Sequence, residues 1–278
     1  MDTRSETTES SKRVLVSGYL GKMGLEVAKA VDAAADLVLA GGFDPAKSQE
    51  SILVDGKPVA PAFTDLEAAI EAVKPDVMVD FTLPSVAAEN LEIALKHGID
   101  CVLGTTGVLP ERLEQLANDA PEGTCLFVAP NFTTGAVLMM AASKLAAKYF
   151  DDVEIIEFHH NNKKDAPSGT ALATAELINN ERLASDVIST APGRQTELPQ
   201  YGGARGAEYK ESKIQMHSVR SNGFVASQEV IFGSSGQTLT IRHDSFDRSS
   251  YMPGVLLAVR KVGTMSGLVI GLEELMLL

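Results

Sequence analysis

The feature that most constrains this chain is the junction at residues 13–24. Arg13-Val-Leu-Val-Ser17 is a short aliphatic run that reads as a buried strand. Gly18, Gly21 and Gly24 follow, and an amphipathic helix then runs to about Val31. A strand that turns on glycines into a helix opens a β-α-β unit. Glycine permits the tight turn and lets backbone N–H groups approach a pyrophosphate. The spacing, G-x-x-G-x-x-G, is one residue off the commonest dinucleotide fingerprint, and a purely structural glycine turn is the alternative. Asp44 adds weight to the nucleotide reading. It ends the second strand, begun by Leu37-Val-Leu-Ala40, where an acid would bind an adenine-ribose hydroxyl. An ordinary Asp-Pro surface turn is the alternative there. Asp44 favours the free ribose of NADH, while Lys47 or Lys22 could offset the 2′-phosphate of NADPH. The cofactor expectation is therefore NADPH or NADH.

The strand–helix alternation continues. Thr64-Asp-Leu-Glu67 is a capping-box pattern opening a helix to about Val73. Asp76-Val-Met-Val-Asp-Phe81 reads as a strand, and Pro84-Ser85 begins the next helix. Cys101–Gly104 and Cys125–Val128 are further strands, with a helix at Pro110–Asn118 between them. Such alternation predicts an α/β fold with a Rossmann-type, doubly wound parallel sheet. After Asn131 the rhythm changes. A helix at Gly135–Tyr149, a strand at Val153–His160 and a helix from Thr170 precede a Gly/Pro-rich segment at 186–212, read as a long loop. Strands at Ile214–Val219, Phe224–Phe232 and Gln237–His243 then follow without helices between them, joined at Asn222-Gly223 and Ser235-Gly236. This predicts a second, α+β domain with a mixed or antiparallel sheet. The expected division is a disordered tail at 1–11, a dinucleotide-binding domain at 12–131 and a substrate and oligomerisation domain at 132–247. A C-terminal part at 248–278, with a helix at Ser249–Val262, returns to the first domain.

Residues 159–170, His-His-Asn-Asn-Lys-Lys-Asp-Ala-Pro-Ser-Gly-Thr, combine two kinds of chemistry. His159 and His160 close an apolar strand and offer protons near neutral pH. Ser168-Gly169-Thr170 opens an apolar-periodic helix, whose free N–H groups and dipole form an anion site. Lys163 adds positive charge. A small dicarboxylate needs this combination, although polar surface histidines before an ordinary helix start are the alternative. The formal charge of -13 makes nonspecific binding to nucleic acid or to an anionic membrane surface unfavourable. Cys101 and Cys125 sit in apolar strands and read as reduced thiols. No spacing suggests a metal site, and the polar N-terminal residues lack a signal peptide's apolar run. The expected location is cytoplasmic.

The segment Glu157-Phe-His-His-Asn-Asn-Lys-Lys-Asp-Ala-Pro-Ser-Gly-Thr-Ala171 resembles the signature of the 4-hydroxy-tetrahydrodipicolinate reductase (dihydrodipicolinate reductase) family of lysine biosynthesis. Lys22-Met23-Gly24, Asp80-Phe81-Thr82, the Gly104-Thr-Thr-Gly107 loop and the Ala129-Pro-Asn-Phe132 loop match in order, so the resemblance covers about Val14 to Val262. It implies NAD(P)H-dependent reduction to tetrahydrodipicolinate in the diaminopimelate route. It implies that His159 is the acid/base residue and Lys163 its partner proton donor. His160, Ser168, Gly169 and Thr170 would bind a small cyclic dicarboxylate substrate. The cofactor would lie on Gly18, Tyr19, Leu20, Gly21, Lys22, Met23, Asp44, Gly104, Thr105, Thr106, Ala129, Pro130, Asn131 and Phe132. A homotetramer is also implied. Tyr19 stands where a small residue is usual, and Pro45 follows Asp44 where many members carry arginine. Two other readings remain: a reductase of another cyclic imine or keto acid, and a non-catalytic dinucleotide sensor.

Overall fold

The computed structural model describes residues 11–46, 49–185, 202–210 and 212–276. It divides into two compact units, one of residues 1–132 with 251–278 and one of residues 133–250.

The first unit is an eight-stranded sheet in the order β13-β7-β6-β5-β1-β2-β4-β3. Its strands are β1 (Lys12–Ser17), β2 (Leu37–Phe43), β3 (Ser51–Val54), β4 (Lys57–Phe63), β5 (Val77–Asp80), β6 (Asp100–Leu103), β7 (Cys125–Val128) and β13 (Gly267–Ile270). All neighbours pair in parallel except β3, which is antiparallel to β4. The central order β4-β2-β1-β5-β6-β7 is that of a dinucleotide fold, and the connections reverse direction between β1 and β5. Helices α1 (Lys22–Asp32), α2 (Leu66–Val73), α3 (Pro84–Lys96), α4 (Pro110–Asp119) and α7 (Met252–Lys261) belong to this unit. Leu15, Met78, Cys101 and Leu126 from the sheet pack with Ile70, Leu91, Leu95 and Leu113 from α2, α3 and α4 in one cluster. Val14, Val16, Val77 and Val79 alternate with these and are equally buried, so the sheet is covered on both faces. Helices α1 and α7 pack together.

The second unit holds a mixed sheet in the order β12-β11-β8-β10-β9. Its strands are β8 (Asp152–His159), β9 (Ala207–Tyr209), β10 (Ile214–Arg220), β11 (Ala226–Ser234) and β12 (Gln237–Ser245). Only β8 and β10 run parallel. Val153, Ile155, Met216, Val230 and Phe232 form a core with Met139 and Ala146 of α5 (Thr134–Ala146) and Ala171, Ala175 and Ile178 of α6 (Gly169–Ala184). Both helices therefore cover one sheet face. Gly236 (φ +80°) lies in the two-residue turn between paired Ser234 and Gln237, as the Ser-Gly dipeptide predicts.

Several local expectations are corrected. Helix α2 is capped by Asp65, which accepts from the Ala68 N–H at 2.8 Å, so the box read from Thr64 does not form. The hairpin of β3 and β4 has no counterpart in the sequence reading, because Pro58 and Pro61 disguise β4. Both prolines face β3 in the register rather than the interior parallel pairing with β2, which involves Ala62 and Phe63. Strand β9 lies inside the segment read as a loop at 186–212, of which 186–201 and 211 fall outside the described residues. The C-terminal helix is a 3-10 turn at Arg248–Tyr251 followed by α7, and the short strand β13 then adds to the β7 edge.

Candidate functional site

In the first unit, the loops after β1, β5, β6 and β7 leave the same edge of adjacent parallel strands, where open α/β sheets bind ligands. Gly18 has φ +79°, and a Cβ there would lie 2.9 Å from Thr82 Cγ2 and 3.0 Å from the Phe81 carbonyl oxygen. A Cβ on Gly24 would stand 2.1 Å from the Gly18 carbonyl oxygen. These two glycines let the helix close onto the turn. Gly21 differs: a Cβ there would meet only the Gly18 oxygen, at 3.2 Å. Gly21 is the N-cap of α1, and no side chain caps the helix. The first N–H groups of α1, at Lys22 and Met23, are thus presented to an anion with open space before them. This cradle fits the pyrophosphate of a dinucleotide. Leu20 is exposed beside it. Tyr19 turns inward, its ring against Gly42, with 4% exposure.

Asp44 stands immediately after β2. Its Oδ1 accepts from the Ala46 N–H at 3.0 Å. Lys47 lies outside the described residues. Thr105 is buried, and its hydroxyl lies 3.1 Å from Asp80 Oδ1, whereas Thr106 is exposed. Gly104 has no room for a side chain, since a Cβ would fall 2.1 Å from the Phe81 ring. Ala129 is buried, Pro130 exposed and Asn131 half-buried. Phe132 is a core residue, packed on Phe81 and Phe127.

Behind these loops lies a polar centre built on Asp80. Asp80 is fully buried and accepts from Ser17 Oγ, Asn90 Nδ2, the Thr82 N–H, Thr82 Oγ1 and Thr105 Oγ1 at 2.7–3.1 Å. One carboxylate thereby ties β1, α3 and the loops after β5 and β6 together.

In the second unit, His159 is the last residue of β8. Its Nδ1 lies 2.5 Å from Glu157 Oε2, and the Glu157 side chain is 1% exposed. Arg220, at the end of β10 and in register beside His159, grips the same carboxylate: Nη1 donates to Oε2 at 2.9 Å and Nη2 to Oε1 at 2.8 Å. Nη2 also donates to the Asp165 carbonyl at 2.7 Å. Burial would raise the Glu157 carboxyl, but hydrogen bonds from Arg220, Ser218 and His159 hold it below the usual glutamate range. Burial pushes His159 below the ordinary histidine value; Glu157 opposes that, and the charges of Lys163 and Arg220 reinforce it. Lys163 pairs with Asp165 at 2.9 Å. His160 is exposed, and its carbonyl accepts from the Lys163 N–H at 3.1 Å. Ser168 caps α6, its Oγ accepting from the Ala171 N–H at 3.2 Å. Gly169 is open, with nothing within 4 Å of a Cβ, and Thr170 is half-buried. The structure thus brings His159, Lys163 and the mouth of α6 onto one end of one sheet. It adds Glu157 and Arg220 to them.

The dihydrodipicolinate reductase N-terminal family profile matches residues 12–132, and the C-terminal profile matches residues 135–276. This chain belongs to the dihydrodipicolinate reductase family. The 4-hydroxy-tetrahydrodipicolinate reductase of Listeria monocytogenes is 47% identical over 268 residues, covering 95% of this chain and 99% of the relative. That of Enterococcus faecalis is 46% identical over 265 residues, with the same coverages. A dipicolinate-bound dihydrodipicolinate reductase from Paenisporosarcina sp. TG-14 superposes with a TM-score of 0.82 at 40% identity, covering 95% of this chain and 98% of that one. The chain is therefore an oxidoreductase of the lysine and diaminopimelate route, and its N-terminal unit is the NAD(P)H-binding part of the reductase.

Two residues that contact the His159 end of β8, Glu157 and Arg220, have no role among the sequence expectations. Glu157 carried a local signal: a carboxylate two residues before a histidine in a strand shares its face. Arg220 carried none, because only the β8–β10 register places it beside His159.

Proposed function

We propose that this chain reduces 4-hydroxy-tetrahydrodipicolinate with NADH or NADPH, His159 supplying the proton and the mouth of α6 anchoring a substrate carboxylate. The observation that carries this reading is the pairing of His159 with a buried carboxylate at the same sheet end as an open helix N-terminus. The nicotinamide, when bound, supplies hydride to the substrate. Negative charge then builds on the ring nitrogen or its conjugated carbon, and a positioned acid must neutralise it. With Nδ1 engaged by Glu157, Nε2 of His159 is the nitrogen available to that charge. The resting imidazole favours its neutral form; a dicarboxylate bound beside it favours the imidazolium and so primes the acid.

Ser168 fixes the first turn of α6, so that the N–H groups of Gly169 and Thr170 point outward to a carboxylate. Such an anion gains on the order of 0.3–2 kcal/mol from the helix end. Lys163 can exchange Asp165 for a substrate carboxylate at small cost, because Asp165 is 60% exposed and the pair is screened by water. His160 and Thr170 border the same mouth. Backbone N–H groups at Gly18–Met23, with Asp44 and the loops at 104–106 and 129–132, would hold the cofactor.

We also propose a cytoplasmic homotetramer. No described helix is long and apolar enough to cross a membrane, and Cys101 and Cys125 are free and buried, as suits a reducing compartment. The sheet face of the second unit opposite α5 and α6 carries half-buried Ile156, Phe158, Val219 and Ile231, which suit a contact between copies. The activity test is NAD(P)H oxidation followed at 340 nm with freshly generated substrate. Turnover that requires the cyclic dicarboxylate supports the reading; no oxidation by folded protein that binds NADPH refutes it.

A further inference from the structure

We propose that Glu157 and Arg220 are positioning residues for proton transfer at His159: the buried carboxylate holds the imidazole by Nδ1 so that Nε2 carries the transferable proton, and Arg220 holds the carboxylate. The proposal rests on the reading of His159 as the acid.

The geometry supplies each link. A carboxylate can only accept, so the Nδ1 that lies 2.5 Å from Glu157 Oε2 must carry a proton in both states of the ring. The titrating nitrogen is then Nε2. Glu157 is 1% exposed, and a carboxylate so buried needs a counter-charge. Arg220 provides it in a two-pronged grip at 2.8 and 2.9 Å, occupying Oε1 and sharing Oε2 with the histidine. That division leaves Oε2 as the one oxygen aimed at the ring. Arg220 also reaches the Asp165 carbonyl, so the same guanidinium braces the loop that carries Lys163. The charged groups around His159 are Glu157 from its own strand, Arg220 from β10, and Lys163 with its partner Asp165 from the following loop. Its register partner on β11 is Ala226, and the start of α6 holds Ser168, Gly169 and Thr170, none of which titrates in this range. A pair that served only to join β8 to β10 would not need a third bond to the ring.

The test begins with the wild-type protein. In ¹⁵N NMR the neutral His159 ring should carry its proton on Nδ1; an Nε2–H tautomer would overturn the proposal without any variant. Opposite shifts are then expected from two substitutions. Glu157→Gln removes the anion that favours imidazolium, so the His159 titration moves to lower pH. Arg220→Met leaves the imidazolium as the main counter-charge of Glu157, so the titration moves to higher pH. Arg220→Lys should restore part of the wild-type position. In kinetics, Glu157→Gln should lower kcat at least about 10–100-fold, the scale seen when a metal-bound histidine loses the carboxylate that orients it. KM should stay within about threefold of wild type, because the groups at the mouth of α6 are untouched. A wild-type kcat and pH profile in Glu157→Gln, alongside an impaired His159→Gln, would overturn the positioning roles and leave the His159 reading intact. A fully active His159→Gln would defeat that reading and the proposal with it.

Discussion

Replacing Asp80 by asparagine changes one atom of a carboxylate that accepts five hydrogen bonds and is fully buried. Oδ2 serves Ser17 and Asn90, while Oδ1 serves Thr82 twice and Thr105 once. An amide NH₂ accepts nothing. On the Oδ2 side it would face the Asn90 amide, although the Ser17 hydroxyl could rotate to accept from it. On the Oδ1 side it would face the Thr82 backbone N–H. One orientation strands the buried Asn90 donor and the other the part-buried Thr82 N–H, at about 1–3 kcal/mol, and the remaining bonds lose their charge assistance. The relief of no longer burying a charge offsets part of this. The net loss should be about 2–3 kcal/mol, or about 4–12 °C in Tm at roughly 2–4 °C per kcal/mol for a unit of this size. Thr82 and Thr105 belong to loops at the nucleotide edge, so the dissociation constant of NADPH should rise as well. Thermal unfolding by circular dichroism and cofactor calorimetry are the assays. A melting temperature within 1 °C of wild type, with unchanged affinity, would show that the network organises nothing and would refute the argument.

Other outcomes follow from the same structure. Gly21→Val should abolish NADPH binding in a folded protein by filling the space before the α1 N–H groups; unchanged affinity by calorimetry would rule out that cradle. Gly24→Ala should instead unfold or strongly destabilise the protein, since its Cβ would lie 2.1 Å from the Gly18 oxygen, and a stable, soluble variant would contradict this. NADH and NADPH should both serve, with kcat/KM within about a thousandfold of each other (~4 kcal/mol), and a larger ratio would show one interaction dominating. Burial lowers both His159 and His243, while hydrogen bonds to Arg220 and Arg242 lower Glu157 and Asp244. The unfolded chain takes up protons first in each case, so stability should fall steadily from about pH 6.5 downward; a rise between pH 6.5 and 5 in urea titrations would show the sign to be wrong.

What could be read from the sequence was what the chain encodes locally. The β1 strand, its glycine turn and α1 are contiguous, and so are His159, Lys163 and the Ser168 cap of α6, so pattern and spacing sufficed for them. Glu157 was visible but unexplained, because its meaning depends on Arg220, which approaches from another strand. The Asp80 centre depends on Ser17, Asn90 and Thr105, drawn from three other elements, and no period in the sequence brings these together. Strand β4 hid behind Pro58 and Pro61. Strand β13, four residues with Gly267 at its start and Gly271 after it, lacks the length for an alternation to show and forms because the β7 edge is there to pair with.

The proton delivery proposed for His159 comes from a ring held by the Glu157 carboxylate. Its most direct test is the pre-steady-state and steady-state kinetics of His159→Gln with saturating NADPH across pH 6–8. In the variant kcat should fall by about 10²–10⁴, the range for loss of a general acid, with KM and NADPH affinity close to wild type. The decline in kcat/KM expected of the wild type as pH rises, which would report loss of the imidazolium, should be absent in the variant. Turnover at near wild-type rate, or an unchanged pH profile, would contradict the role proposed for His159.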